Sequence, residues 1–336
     1  MKIAIVNDMP LAVEALRRAL AFAPEHQILW VAGDGAEAVR RCALQTPDLL
    51  LMDLVMPVMD GVEATRRIMA QSPCAILLVT GDSKQNMRQV FDAMGHGALD
   101  VVNTPALGVG TAGEAGASLL RKIQNIGWLI GHADKQAGCA APNRASGVAP
   151  PQLVAIGASA GGPAALAELL HGIPADFPAA IVLVQHVDKV FAAGMADWLN
   201  QDSGVPVRLA CDGEPPQRAT ALLAGTDQHL RLLANGQLAY TAEPSGYSAY
   251  RPSIDLFFES VAAHWSGQAV GVLLTGMGRD GARGLKQMRA QGFLTIAQDQ
   301  QSSAVYGMPK AAAGLDAAVE IRPLQEIAPR LLSFFA

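Results

Sequence analysis

The chain has 336 residues, of which 51% are hydrophobic and 16% charged, with a formal net charge of −5 at pH 7. That length suggests two domains, and that apolar content excludes a disordered chain. An acidic pI of about 5.8 argues against electrostatic nucleic-acid binding, and an aromatic content of 5% argues against base-stacking platforms. No apolar run approaches the roughly 20 residues that cross a bilayer. The opening Met1-Lys2-Ile3-Ala4-Ile5-Val6 reads as a strand rather than a signal peptide. Cys42, Cys74, Cys139 and Cys211 are far apart, with no CxxC pair. They fit reduced thiols in a cytoplasmic protein rather than a zinc site or a disulfide frame.

The first third alternates strands and helices. Apolar runs at 2–6, 28–32, 48–51, 75–79 and 98–102 read as strands, and 11–21, 35–42, 63–70 and 85–94 read as helices. Such alternation predicts an α/β unit with a parallel sheet covered on both faces, ending near residue 105. Residues 106–151 are rich in Gly, Ala and Pro and read as a linker, with one helical segment at 118–130. A second alternation starts at residue 153 and runs through strands at 153–157, 180–184, 270–274 and 293–297. Helices are expected at 162–170, 192–199, 254–264 and 281–291, with short strands at 205–209, 221–223, 230–232 and 237–240. The predicted organisation is therefore 1–105, a linker at 106–151, and a doubly wound parallel-sheet domain at 152–336.

In the first unit, Asp8 follows the first strand, Asp53 the third and Thr80 the fourth. The carboxyl ends of strands line the ligand crevice of an open parallel sheet. Two carboxylates and a backbone carbonyl there suit Mg²⁺, a hard cation that keeps several waters. A carboxylate beside that ion can act as a nucleophile toward a phosphoryl group. A single strand-end Asp is as readily a helix cap or turn residue. The joint pattern, with Met52-Asp53-Leu54-x-Met56-Pro57-x-Met59-Asp60-Gly61, resembles the receiver domain of two-component response regulators. The resemblance implies a (βα)5 fold with Asp53 as phospho-acceptor. It also implies Asp8 and the Val55 carbonyl as Mg²⁺ ligands with Asp53, and Thr80 as the switch hydroxyl. The sequence departs from the receiver pattern at Asn7, where an acid is usual, at Thr104, where a lysine is usual, and at Val101, where an aromatic often stands.

In the second unit, Gly157-Ala158-Ser159-Ala160-Gly161-Gly162 lies between a strand and a helix. GxSxG in that setting is either a nucleophile elbow or a phosphate-cradling turn. A serine nucleophile needs a base. His186 follows the strand at 180–184 and would face the same crevice; His229, in an expected loop, is the other histidine able to reach a site. The base needs an orienting acid. Asp280, in Thr275-Gly276-Met277-Gly278-Arg279-Asp280-Gly281, is the acid at the end of the next strand. Taken alone, Asp280 reads equally well as an N-cap of the helix that follows it.

Residues 152–336 resemble the catalytic domain of chemotaxis protein-glutamate methylesterases. The matching pieces are GxSxGG at 157–162, Gln185-His186, Arg251-Pro252-Ser253-x-Asp255, Thr275-Gly276-Met277-Gly278-x-Asp280-Gly281, Ala297-Gln298-Asp299 and Gly307-Met308-Pro309. With the receiver and linker, the resemblance covers nearly the whole chain. The Asn103-Thr104-Pro105 end of the first unit is similar to the branch found in Wsp-type surface-sensing pathways. The resemblance implies a Ser159–His186–Asp280 triad with the Met277 amide as oxyanion donor, and no cofactor for the esterase reaction. Arg251 would bind a substrate surface. The implied substrate is a glutamyl methyl ester on a methyl-accepting chemoreceptor, with deamidation of receptor glutamine as a second activity. The implied phosphodonor is a histidine kinase of the CheA type. Ala160, where the family often has a hydroxyl, and Val187-Asp188-Lys189 after the histidine are departures. A regulatory module or phosphoryl sink with little catalysis is the alternative reading. A small-ester hydrolase unrelated to signalling is a third.

Overall fold

The computed structural model describes residues 1–81, 86–105, 112–130, 152–242 and 251–336. Cys139, Gln85 and the expected linker at 106–111 and 131–151 lie outside the described residues. The chain divides into two compact units, Met1–Asp134 and Lys135–Ala336.

In the first unit the strands β1 (Lys2–Val6), β2 (Gln27–Ala32), β3 (Leu49–Met52), β4 (Ala75–Thr80) and β5 (Asp100–Asn103) form one sheet in the order β2-β1-β3-β4-β5. All pairings are parallel. The helices are α1 (Pro10–Leu20), α2 (Gly35–Leu44), α3 (Gly61–Gln71), α4 (Met87–Gly95) and α5 (Ala112–Ile130). β3 is buried along its whole length, as a strand covered on both faces must be, which is why its sequence shows no polar alternation. Asp34 and Asp60 each cap a helix by accepting from the amide three residues on, at 2.8 and 2.9 Å. Order reversal about β1 and β3 puts the switch point of this sheet between Asp8 and Asp53.

The helical segment that the sequence places within the linker is α5, the fifth helix of this unit. Leu119, Ile123 and Ile126 are buried. Their spacing of four and three residues makes one apolar stripe, which packs α5 against α1, β3 and β5. Lys122 Nζ pairs with Asp100 Oδ2 at 2.5 Å and ties the helix to the start of β5.

The second unit is built on β6 (Gln152–Ala158), β7 (Ala180–Gln185), β8 (Val207–Leu209), β9 (Ala221–Leu223), β12 (Gln268–Leu273), β13 (Leu294–Gln298) and β14 (Glu320–Arg322), in the order β14-β13-β12-β6-β7-β9-β8. The strands β10 (His229–Leu232) and β11 (Leu238–Thr241) form a separate antiparallel hairpin. The helices are α6 (Gly162–His171), α7 (Lys189–Asp202), α8 (Ile254–His264), α9 (Ala282–Ala290), α10 (Met308–Gly314) and α11 (Leu324–Phe335). β6 is central, with β7 on one side and β12 on the other. Leu153, Val182 and Leu273 of these strands share a core with Phe257 and Phe258 of α8. His229 opens a strand and is buried, contrary to its expected place in a loop.

Removing the α5 stripe should uncouple that helix from its sheet. Ile123→Ala should cost about 2–5 kcal/mol, read as a lower urea midpoint and faster hydrogen exchange in β5 and α1. An unchanged midpoint with unchanged exchange would show that α5 contributes nothing to this unit.

Candidate active site

Ser159, His186 and Asp280 come from three adjacent strands. Ala158 of β6 pairs with Gln185 of β7, so Ser159 and His186 are the next residues on neighbouring strands. Parallel strands lie about 4.8 Å apart. The His186 amide donates to the Ala158 carbonyl at 3.0 Å, which continues the pairing past the strand ends. Leu273 of β12 pairs with Gly157 of β6, so the loop carrying Asp280 leaves the sheet on the other side of Ser159.

The turn at Ser159 is held from both sides. The Ser159 amide donates to the Thr275 carbonyl at 3.0 Å, and the Thr275 hydroxyl donates to the Ala160 carbonyl at 2.9 Å. Gly161 stands at the N-terminus of α6 with φ 73°, a left-handed conformation that favours glycine. Gly276 has no side chain because a Cβ there would crowd the Ser159 Cβ at 2.7 Å and Met308. Ala160 is buried and adds no hydroxyl to this turn.

His186 and Asp280 are in contact, Nε2 to Oδ2, at 2.8 Å, with side chains only 9% and 6% exposed. Asp280 does not cap its own helix, since Gly281 stands at the N-cap of α9. It lies instead against the N-terminus of α8. Oδ1 accepts from the Ser253 hydroxyl and the Asp255 amide, each at 3.0 Å, and Oδ2 accepts from the Ile254 amide at 2.8 Å. Burial pushes the Asp280 carboxyl up. The bond to His186, that ring's charge and the two amides outweigh burial, and hold the carboxyl below the usual carboxylate range. Ser253 in turn donates its amide to His229 Nδ1 at 3.1 Å.

The residues that hold Asp280, namely Ser253 and the first amides of α8, carry no catalytic signal in sequence; Ser253 reads there only as part of a matching stretch. The same is true of Gln185, whose side-chain Nε2 donates to the Ser159 carbonyl at 2.8 Å. Arg251 is exposed at the approach to α8, and its charge reaches Asp227. Asp227 itself pairs with Lys189 at 2.6 Å, while Asp188 caps α7. Met277 is half-buried in the loop between β12 and α9. Its amide takes no acceptor among the described residues.

In the first unit, Asp53 continues from β3, its amide donating to the Val6 carbonyl at 2.9 Å. Asp53 Oδ1 accepts from the Leu54 amide at 2.7 Å and Oδ2 from the Asn7 side-chain amide at 2.9 Å. Burial, with a smaller effect from the Asp8 charge, pushes the Asp53 carboxyl up to about 6 against the pull of the Leu54 and Val55 amides. Asp8 is exposed, Thr80 is buried at the end of β4, and Val55 is exposed. A Cβ on Gly61 would overlap the Asp53 carbonyl, so only glycine lets α3 begin this close. Among the described residues no group of three His, Cys, Asp or Glu side chains is placed to hold a metal. At this switch point the Asp8 carboxylate is near enough for its charge to act on Asp53.

Together these features define a class of protein: a receiver-type sheet followed by a second parallel sheet that carries serine, histidine and aspartate at adjacent strand ends. The response regulator receiver domain family matches residues 3–106, and the CheB methylesterase family matches residues 154–331. The chain belongs to the CheB methylesterase family, with a receiver domain ahead of the methylesterase domain. It is 72% identical over 338 residues to a Pseudomonas putida protein-glutamate methylesterase/protein-glutamine glutaminase of group 3 operon, covering 100% of both chains. A Pseudomonas aeruginosa protein-glutamate methylesterase/protein-glutamine glutaminase is 69% identical over 335 residues, again with 100% of both covered. The crystal structure of the Thermotoga maritima CheB methylesterase catalytic domain matches with a TM-score of 0.52 and 32% identity, covering 55% of this chain and 98% of that one.

The lowered Asp280 carboxyl has a consequence for stability. A depressed carboxyl stabilises the native state at pH above its unfolded value of about 3.9, and that contribution is lost as pH falls through the folded value. Urea midpoints of the second unit should therefore fall more steeply below about pH 4 in the native chain than in Asp280→Asn. Equal slopes would show that Asp280 is not held as an anion.

Proposed function

We propose that the chain is a phosphorylation-regulated protein-glutamate methylesterase, with protein-glutamine glutaminase activity at the same site. The observation that carries the catalytic part is the 2.8 Å contact between His186 and Asp280, made across the strand that presents Ser159. His186 takes the proton from Ser159, whose Oγ attacks the carbonyl carbon of a glutamyl methyl ester. With Nε2 occupied by Asp280, Nδ1 is the ring nitrogen that serves as base. Asp280, fixed by α8, orients the ring and offsets the charge it gains. The Met277 amide donates to the oxyanion. The ester C–O bond breaks, and methanol leaves with the proton from His186. Water then attacks the glutamyl-serine ester, giving its proton to His186; the C–Oγ bond breaks, the glutamate is released, and His186 returns the proton to Ser159 Oγ. With a glutamine side chain in the ester's place, ammonia is the leaving group. No cofactor is needed for this chemistry.

In the receiver, Asp53 is the phospho-acceptor and Thr80 the hydroxyl that meets the new phosphoryl group. Asp8, Asp53 and the Val55 carbonyl fit Mg²⁺, since all are hard oxygen donors, and the Asp8 charge, which adds to the rise that burial gives the Asp53 carboxyl, is one that a cation would offset. When bound, Mg²⁺ offsets charge on the transferring phosphoryl group. The relatives' name, protein-glutamate methylesterase/protein-glutamine glutaminase, supports a protein glutamyl ester as substrate, and the receiver family match supports a phosphodonor; in this reading they are a methyl-accepting chemoreceptor and a CheA-type histidine kinase. Both partners act at the cytoplasmic side of a receptor, and no helix among the described residues is long and apolar enough to cross a membrane. Residues 1–105 with α5 serve as receiver, 152–336 as methylesterase, with the rest of 106–151 as linker. The name of the P. putida relative and the Asn103-Thr104-Pro105 end favour the Wsp-type branch. Arg251 would meet an acidic receptor surface.

Ser159→Ala should lower methanol release from a methylated receptor by roughly 10³-fold or more, because members of a triad act as a unit. Asp53→Asn should keep the basal rate and lose stimulation by a small-molecule phosphodonor. Near-normal release from Ser159→Ala would refute the triad. Full pathway output from Ser159→Ala would favour the phosphoryl-sink alternative instead.

A further inference from the structure

Gln185 is the last residue of β7, pairs with Ala158 of β6, and directly precedes His186. It is 2% exposed, and its Nε2 donates to two carbonyls, that of Ser159 at 2.8 Å and that of His186 at 3.2 Å. Both acceptors belong to the turns that carry the triad side chains. The amide orientation is fixed by chemistry, since the opposite one would set Oε1 against two carbonyl oxygens. Oε1 points the other way, into the start of α6, where it is buried and takes no donor among the described residues. The space it fills exists because residue 162 is glycine: a Cβ there would overlap Oε1.

A buried acceptor without a donor costs stability that an apolar side chain of the same shape would not. Buried polar groups of this kind call for a reason other than packing. We propose that Gln185 is a positioning residue for the esterase reaction. One NH₂ group, with its two hydrogens on the Ser159 and His186 carbonyls, sets the separation of the two turns and so aims the Ser159 hydroxyl at the His186 ring. This deepens the triad reading and rests on it. The Ser159 carbonyl also accepts from the Gly162 amide at 2.7 Å, so the same oxygen links α6 to the clamp. Gly162 and Gln185 form a matched pair, in which the missing Cβ of one makes room for the amide of the other.

The test compares Gln185→Met, which keeps size and removes the donors, with the native full-length chain. Methanol release from a methylated receptor should show kcat reduced by about 10–100-fold, as for a small misplacement of reacting groups, with KM within twofold and the protein still folded at the assay temperature. Gly162→Ala should lower kcat similarly in the native background, and add little once Gln185 is replaced by Ala. Inactivation by a sulfonyl fluoride, which reports the reactivity of Ser159 without a receptor, should slow in parallel with kcat. If the native chain released no methanol, the proposed function would fail, while the sulfonyl fluoride rates would still decide the role of Gln185. Gln185→Met with native kcat and native inactivation rate would overturn the proposal. So would a loss of kcat that follows only a loss of folded protein.

Discussion

The second unit depends on one constraint: the carboxylate of Asp280 is held by the N-terminus of a helix other than its own. Two α8 amides and the Ser253 hydroxyl supply three donors, and His186 takes the remaining direction on Oδ2. A buried carboxylate with so many donors stays ionised and has little freedom to turn. The histidine therefore meets a fixed anion rather than a mobile one. This is the arrangement a base needs if it is to gain a proton transiently without moving. β6 lies between the strands that lead to Asp280 and His186, so Ser159 is presented between them by the order of the sheet alone.

The two units use the same geometric device for different chemistry. Each places reactive oxygens beyond the carboxyl ends of parallel strands, where backbone amides are plentiful and side chains from several elements converge. In the first, Asp53 sits against the Leu54 amide and the Asn7 side chain, with burial and the Asp8 charge raising its carboxyl. In the second, the bond to His186 and its charge, with the α8 amides, lower the Asp280 carboxyl against its burial. Two strand-end aspartates in one chain are thus shifted in opposite directions, Asp53 upward chiefly by burial and Asp280 downward by its partners. Asn7, which departs from the usual acid, contributes a donor to Asp53 instead of a further negative charge.

Much of this was legible in sequence, because period and punctuation carry it. Apolar runs ending in Asp53, Ser159 and His186 already mark the strand ends that face a crevice. The parts that were not legible are tertiary. Asp280 reads as a cap for α9 until the structure shows α8 beside it. His229 reads as a loop residue just before the predicted strand at 230–232, since its polar side chain does not extend the apolar run; only the fold shows it buried and accepting from the Ser253 amide. The helix at 118–130 was legible from its Leu119-Ile123-Ile126 stripe, but the Gly- and Ala-rich stretch before it hid both its start at Ala112 and its packing against the first sheet. Gln185 is a polar residue at the end of an apolar strand, and only the fold shows that it reaches two turns at once.

The most direct test of the account is the reaction of the chain with a fluorophosphonate, followed by peptide mass spectrometry and timed against Asp280→Asn. The account predicts a single adduct on Ser159, formed at least 10³-fold more slowly in the variant, as expected when a triad loses its orienting acid. An adduct on another residue, or equal rates in the two chains, would contradict it.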